Sequence, residues 1–407
     1  MSNVTGCSRD RRVLARRTGY GLCLLMCVAS AAHSVPAQDE PSETPSVVSA
    51  IAKSSDLSSA FPPNEWVRVE RSIDIGLEWL ASQQADDGRF RSLPNAQPAV
   101  TSLAVMAYLA RGHVPGHGRY GRSLTRAIQF VLGTQKRRGY FSLMRVAPGG
   151  GAHNPGQTLP YNHAIAGLML GEVYGMTNGA QSRQIEEAIG KALVFSRKVQ
   201  LRKKGHPDDI GGFRYAYPEN PASSDLSVSG WALMFYRSAR NAEFEVPKQY
   251  FDEGLDFVER CYWETPDNLD KGIFLYRPLA AADGVAKPSL ANTGSAMLTL
   301  ILGGRHRSDM VKAGTEWFRS RDYPSPVKAA NFYLATYYCS QAMAQVGGDT
   351  WNQVYPQIAT NLIQEQDDDG SWKRARGAER NFGPVYATSF AILALTPPYQ
   401  LLPIYQR

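Results

Sequence analysis

Residues 362–399 read as the end of one helix, a turn, a loop and then a second, far more apolar helix, and the same order returns along the chain. Gln366 and Trp372 stand six residues apart with Asp369 and Gly370 making the turn, and Gln84/Phe90 (QADDGRF) and Gln135/Phe141 (QKRRGYF) keep that spacing. Weaker copies put an aromatic after glycine at Phe213 and Phe274, and Tyr323 falls midway between Phe274 and Trp372. These six aromatics mark a degenerate repeat of about 50 to 70 residues, which restricts the chain to architectures built from one supersecondary unit used several times.

The segments between the turns have helical periodicity. Amphipathic helices are expected over residues 69–84, 124–135, 185–199, 250–262, 310–319 and 351–366. In the first, Ile73, Leu77, Leu80 and Ala81 recur at spacings of three and four and so share one face. Helices that are apolar nearly all round are expected over 100–111, 161–174, 226–239, 290–302, 332–346 and 386–395, and such helices must be buried on more than one side. Small residues within them, such as Gly167, Gly171, Gly230 and Gly294, permit close helix approach. No intervening segment alternates as a strand does. Six apolar helices form an inner ring and six amphipathic helices an outer one. The first helix lacks an inner partner before it and the last lacks an outer partner after it, so pairing these two closes the ring. The expected fold is therefore all-α, a closed double-ring α/α toroid of about six helix pairs, rather than an open solenoid with polar caps.

Residues 1–37 lie outside that pattern. Five arginines, an apolar run (GLCLLMCVASAA) and the small-residue exit Val35-Pro36-Ala37 follow the order of an export signal, and the paired arginines also permit a twin-arginine route. The apolar run is too short to cross a bilayer about 30 Å thick. Residues 38–64, rich in Pro, Ser and acids, read as a flexible linker, which leaves 65–407 for the toroid. The first 37 residues hold five Arg and one Asp, so +4 of the formal +7 belongs to them and +3 remains on 370 residues. Nucleic-acid binding needs a concentrated basic face, which those scattered charges do not make. Cys261 and Cys339 follow the signal; an exported protein permits them to pair, while their apolar helical settings suit buried free thiols. They make no zinc ligand set.

The motifs QEQDDDGSW and QQADDGRF resemble the Gln…Gly-x-Trp motif of the prenyltransferase and squalene oxidase repeat family, over roughly residues 69–399. The stretches GGFRYAYPENPASSDLSVSGWALMFYRSA, YNHAIAGLMLGEVYGMT and YQLLPIYQR look like those of secreted bacterial squalene-cyclase-like proteins. The resemblance implies a double-ring helical toroid, in agreement with the helix count, and leaves function to the site. A terpenoid cyclase of that family protonates its substrate with a DxDD motif opening an inner helix. The matching residues here are Ala222-Ser223-Ser224-Asp225, with Ser224 in the place of the proton donor. Asp225 reads as a helix cap, a position where the helix dipole favours the ionised form; general acid is the alternative role. A protein prenyltransferase would need zinc held by Asp-x-Cys and His. Asp225-Leu226-Ser227 and Asn331-Phe332-Tyr333-Leu334 offer serine and leucine instead, which cannot replace thiolate and imidazole.

Other polar residues at the starts of apolar helices complete the candidate set. His163, beside Tyr161 and Asn162, is expected to look toward one mouth of the ring, as an acid/base pair with Tyr161 or as a hydrogen-bonded core histidine. Pro115 and Gly116 prevent His113 and His117 from sharing a helix as metal ligands, and His153 lies in a Gly-rich loop. Asp367-Asp368-Asp369 lacks the loop pattern of a calcium site and reads as a solvated turn. The expectation is an exported, monomeric binding or scaffolding module without cofactor or metal, taking an apolar small molecule, a saccharide or a protein as partner, and with no membrane span. Its cavity is expected to be lined by Tyr161, Asn162, His163, Ser224, Asp225, Asn292, Tyr333 and Tyr386. The alternative is a terpenoid cyclase-like or polysaccharide lyase-like enzyme using the central cavity, with His163, Tyr161 and Asp225 as its catalytic groups.

Overall fold

The computed structural model describes residues 57–145, 155–215, 223–263, 271–278, 289–324 and 331–406. The expected signal, His153 and Ala222 lie outside them. The outer helices are α1 (Pro63–Ser82), α3 (Gly121–Gly133), α5 (Gly179–Gln200), α7 (Lys248–Arg260), α9 (Asp309–Arg319) and α11 (Gly348–Glu365). The inner helices are α2 (Ala99–Ala110), α4 (Pro155–Val173), α6 (Leu226–Asn241), α8 (Leu290–Leu302), α10 (Phe332–Val346) and α12 (Pro384–Leu395). In α1, Val69, Ile73, Leu77 and Leu80 form the buried stripe, whereas every residue of α2 is buried. The difference follows from composition: a helix with charges on one face keeps that face in water, and one without them is enclosed.

Each inner helix packs on the next, α2 on α4 and so on to α12, and α12 packs back on α2. The ring closes where the unpaired ends required it: α12 and α11 both pack on α1. Close approach within the inner ring uses small residues. A Cβ added at Gly230 would sit 2.6 Å from the Ser295 hydroxyl, and one at Gly167 would sit 2.7 Å from the Phe235 ring.

The turn motif has two distinct jobs. The Gln366 amide donates to Gly370 O in its own turn and to Ser72 O of α1, both at 2.9 Å, while its carbonyl accepts from the Ser72 hydroxyl at 2.7 Å. Gln84 and Gln135 likewise donate to their turn glycines and to carbonyls of the next outer helix, Ser123 and Ala188. Gln200 does the same with Gly211 and Tyr250, a copy hidden in the sequence by a longer turn. Gln therefore joins outer helix to outer helix. The aromatic residue instead joins the inner helix, because the backbone N–H groups of Phe90, Phe213, Phe274 and Trp372 donate to hydroxyls of Thr101, Ser229, Thr293 and Thr388. Only glycine fits the turn: Gly211 and Gly370 have φ of +87° and +88°, and a Cβ there would lie 2.0 and 2.6 Å from carbonyl oxygens of Glu253 and Ile75.

Two expectations are corrected. A short antiparallel pair, Tyr262–Trp263 with Ile273–Phe274, occurs where no strand was expected, because it is one such turn widened by an insertion. Leu57, Phe61 and the helical Pro63 and Asn64, expected within the linker, belong to the fold: Leu57 is buried, its carbonyl accepts from the Trp351 indole at 2.9 Å, and Phe61 meets Trp66 and Tyr355 edge-on. Cys261 and Cys339 are buried free thiols. Among the described residues no helix is long and apolar enough to cross a membrane.

Candidate functional site

The middle of the inner ring is filled by aromatic side chains. Trp231 of α6 stacks on Tyr337 of α10 with centroids 5.8 Å apart and planes 6° from parallel. Phe390 of α12 lies 5.2 Å from Tyr337 and 6.3 Å from Trp231, so rings from α6 and α12, on opposite sides, meet at the centre. The end of the ring where inner helices finish is stoppered by residues 397–406. There Ile404 N–H donates to Glu172 at 3.1 Å, Gln345 donates to Tyr405 O at 3.0 Å, and the Tyr337 and Tyr405 hydroxyls share a hydrogen bond.

The opposite end, where inner helices begin, carries a polar cluster around Asp225. Asp225 caps α6 by accepting from Val228 N–H at 2.8 Å, and its second oxygen accepts from Arg214 at 2.8 Å. Arg214 also donates to the Tyr276 hydroxyl at 3.0 Å, which is 2.8 Å from the Tyr215 hydroxyl. The guanidinium lies over the Tyr215 ring at 4.6 Å and the Tyr276 ring at 5.6 Å. Tyr161 donates to Ser227 at 3.1 Å and its ring is 6.1 Å from that of Tyr215. Burial raises the Asp225 carboxyl above the usual carboxylate range, and the opposing pull of Arg214 and the Val228 N–H does not cancel it. The helix dipole, from which an ionised cap was expected, acts only on the side of that opposing pull.

A second buried carboxylate, Glu379, caps α10 by accepting from Leu334 N–H at 2.9 Å and Tyr333 N–H at 3.3 Å. Burial pushes it up to about 7 against those donors and the Tyr386 hydroxyl. Tyr386 packs on Phe390 at 4.7 Å and so lies over the aromatic plug.

The helical double ring has solved counterparts. A type II terpene cyclase from Scytonema, MstE, with its product merosterolic acid A matches with a TM-score of 0.51 at 13% identity, over 82% of this chain and 98% of that one. The same cyclase with its substrate geranylgeranyl dihydroxybenzoate gives 0.52 at 12% identity, over 82% and 98%. A protein from Actinoplanes gives 0.50 at 14% identity, over 81% and 99%. The chain is an α/α toroid. No family model and no curated protein sequence matches this chain, and identities this low speak to fold alone.

Within the toroid, the eight residues expected to share one cavity do not do so. Residues on a helix turn by about 100° each, so Tyr161, Asn162 and His163 point three ways. Tyr161 faces the mouth. Asn162 ties α4 to the start of α2, accepting from Ala99 N–H at 3.0 Å and donating to Asn95 O at 2.8 Å. His163, expected to look toward the mouth, faces α5, with Nε2 2.8 Å from the Ser196 hydroxyl and the rings of Phe141, Phe195 and Phe235 around it. Burial lowers it to about 3, and the space beside it, about 20 Å³, has room for about one water. Ser224, in the place of a cyclase's acid, is buried and bonds Asp209 through both its N–H and its hydroxyl at 2.7 Å. Tyr333 is buried near Glu365, Asp367 and Glu379, and Asn292 lies in the first turn of α8, its N–H bonded to the Ser289 cap at 3.3 Å. Tyr161, Asp225 and Tyr386 remain at the mouth. Arg214, Tyr215, Tyr276 and Glu379 join them without having been singled out from the sequence. For Arg214 a signal existed: it follows Phe213, whose pairing with Asp225 sets the guanidinium beside the cap.

Proposed function

We propose that this toroid is a binding or scaffolding module rather than a cyclase, and that its ligand face is the mouth around Arg214, Tyr215, Tyr276 and Tyr161. The observation that carries the reading is the filled ring: Trp231, Tyr337 and Phe390 occupy the space a long polyprene would need. The residues left at the mouth are half-buried phenols, a serine hydroxyl and a guanidinium. Such groups favour a hydroxylated or anionic ligand, and an acidic saccharide is the class that uses all of them: ring faces against sugar C–H groups and Arg214 against carboxylate. Export and a monomeric state belong to the proposal too, export resting on the pattern of residues 1–37.

Calorimetric titration with a uronic-acid oligosaccharide tests this. Saturable binding is expected, weakened about tenfold or more in Tyr215→Ala, a loss that one good ring-face contact supplies. Binding that ignores Tyr215→Ala, or no binding, overturns it. A second reading, an enzyme working at the same mouth, is favoured by one observation. The raised Asp225 carboxyl is wired through Arg214 to the Tyr276–Tyr215 hydroxyl pair, an arrangement able to hold a proton near a ligand. Cleavage of the oligosaccharide that disappears in Asp225→Asn would establish that reading instead.

A further inference from the structure

On the flank of the stoppered end, the ends of α8 and α10, the face of α9 and the C-terminal tail enclose a groove of about 760 Å³. That volume lies in the range of small-molecule sites, about 300 to 1,000 Å³. Ile301, Leu302, Val311, Val346 and Ile404 give it an apolar wall, and Arg237 of α6 projects into it. The charges around it are unevenly matched. Lys312 pairs with Asp309 at 2.8 Å, and Glu316 with Arg319 at 3.3 Å. Arg237 has no carboxylate or hydrogen-bond partner among the described residues; its Nε is buried and unsatisfied, and burial together with the like charge of Arg240 disfavours its protonated form. A buried N–H on a cation is unfavourable without an acceptor, and a guanidinium presents a planar fork suited to a carboxylate.

We propose that this groove binds a fatty acid, with its carboxylate on Arg237 and its chain along the wall formed by Ile301, Leu302, Val311 and Val346. The site lies at the end opposite the polar mouth and does not depend on the saccharide reading, so either can fail alone. A carboxylate in the groove neutralises a half-buried guanidinium that no described carboxylate pairs, and the chain covers the exposed parts of Ile301 and Val346. A short anion satisfies only the first requirement and a neutral alcohol only the second.

Titration of the full chain with dodecanoate, dodecanol and acetate tests the assignment. Dodecanoate is expected to bind one to one, dodecanol about tenfold or more weakly, and acetate without saturation, as expected when a charge-assisted bond and chain burial both contribute. Arg237→Gln is expected to weaken dodecanoate about tenfold while leaving dodecanol unchanged. Thr315→Trp, which narrows the groove from the solvent side, should weaken both, and thermal melts of each variant establish that it is folded. Equal affinity for acid and alcohol, a dodecanoate affinity unchanged in Arg237→Gln, or the absence of saturable dodecanoate binding overturns the proposal.

Discussion

Replacing Glu172 by Gln should change how stability depends on pH, in a direction and size set by its surroundings. Glu172 sits in the apolar helix α4, fully buried, and burial pushes its carboxyl from 4.5 up to about 7. One oxygen is 2.6 Å from the Ser238 hydroxyl, which also lies 3.1 Å from Leu168 O, and the other accepts from Ile404 N–H. When protonated, Glu172 donates to Ser238, Ser238 donates to Leu168 O, and every group is satisfied. When ionised, Glu172 accepts a hydrogen bond from the Ser238 hydroxyl, which leaves the Leu168 carbonyl without that donor. The folded state therefore binds this proton more tightly than the unfolded state does. The resulting stabilisation is complete below pH 4.5 and is lost as pH rises through about 7. A rise from 4.5 to about 7 corresponds to roughly 3 kcal/mol, at about 1.4 kcal/mol per pH unit. Gln reproduces the protonated pattern, its amide donating to Ser238 and its carbonyl accepting from Ile404. Urea denaturation of both proteins across this range should show Glu172→Gln gaining roughly 3 kcal/mol on the parent between pH 4.5 and 7.5, with a plateau above. A difference that does not vary with pH would mean that Glu172 keeps its ordinary carboxylate titration in the fold.

His163 titrates in the opposite sense. Lowered from 6.5 to about 3, it destabilises the fold as pH falls below 6.5, so the parent should lose about 1.4 kcal/mol per pH unit relative to His163→Gln down to about pH 3, measured by acid titration of unfolding. Gln366→Ala removes two donated bonds and the acceptor of Ser72 at the seam between α11 and α1. It should cost about 1 to 3 kcal/mol in chemical denaturation, against under about 0.5 for the exposed Gln353→Ala; equal costs would deny the seam its role.

The double ring was legible because its signals are local and numerous. Stripes at spacings of three and four, all-round apolar helices and sharp Gly turns each report on a few neighbouring residues, and α8 and α10 begin and end where periodicity placed them. The site was less legible because it depends on helix rotation and on which loops meet. Nothing local in YNHA tells which of three successive residues faces inward, and Arg214 and Tyr276 come together across 62 residues of chain. Gln200 escaped notice because an insertion moved it away from its glycine. Glu172 left a usable signal, a lone acid in an otherwise apolar helix, whose meaning depended on a tail more than 200 residues away. Asp225 was readable as a cap, but its protonation balance was not, because burial is a tertiary property.

The proposed function rests on an inner ring packed with its own aromatic residues, which leaves a polyprene no room there. Incubating the purified protein with squalene, then measuring both bound hydrocarbon and products by mass spectrometry, tests it most directly. No saturable binding within the ring and no cyclised product are expected. Stoichiometric squalene bound between Trp231 and Phe390, or a cyclised product that disappears in Asp225→Asn, would contradict that expectation.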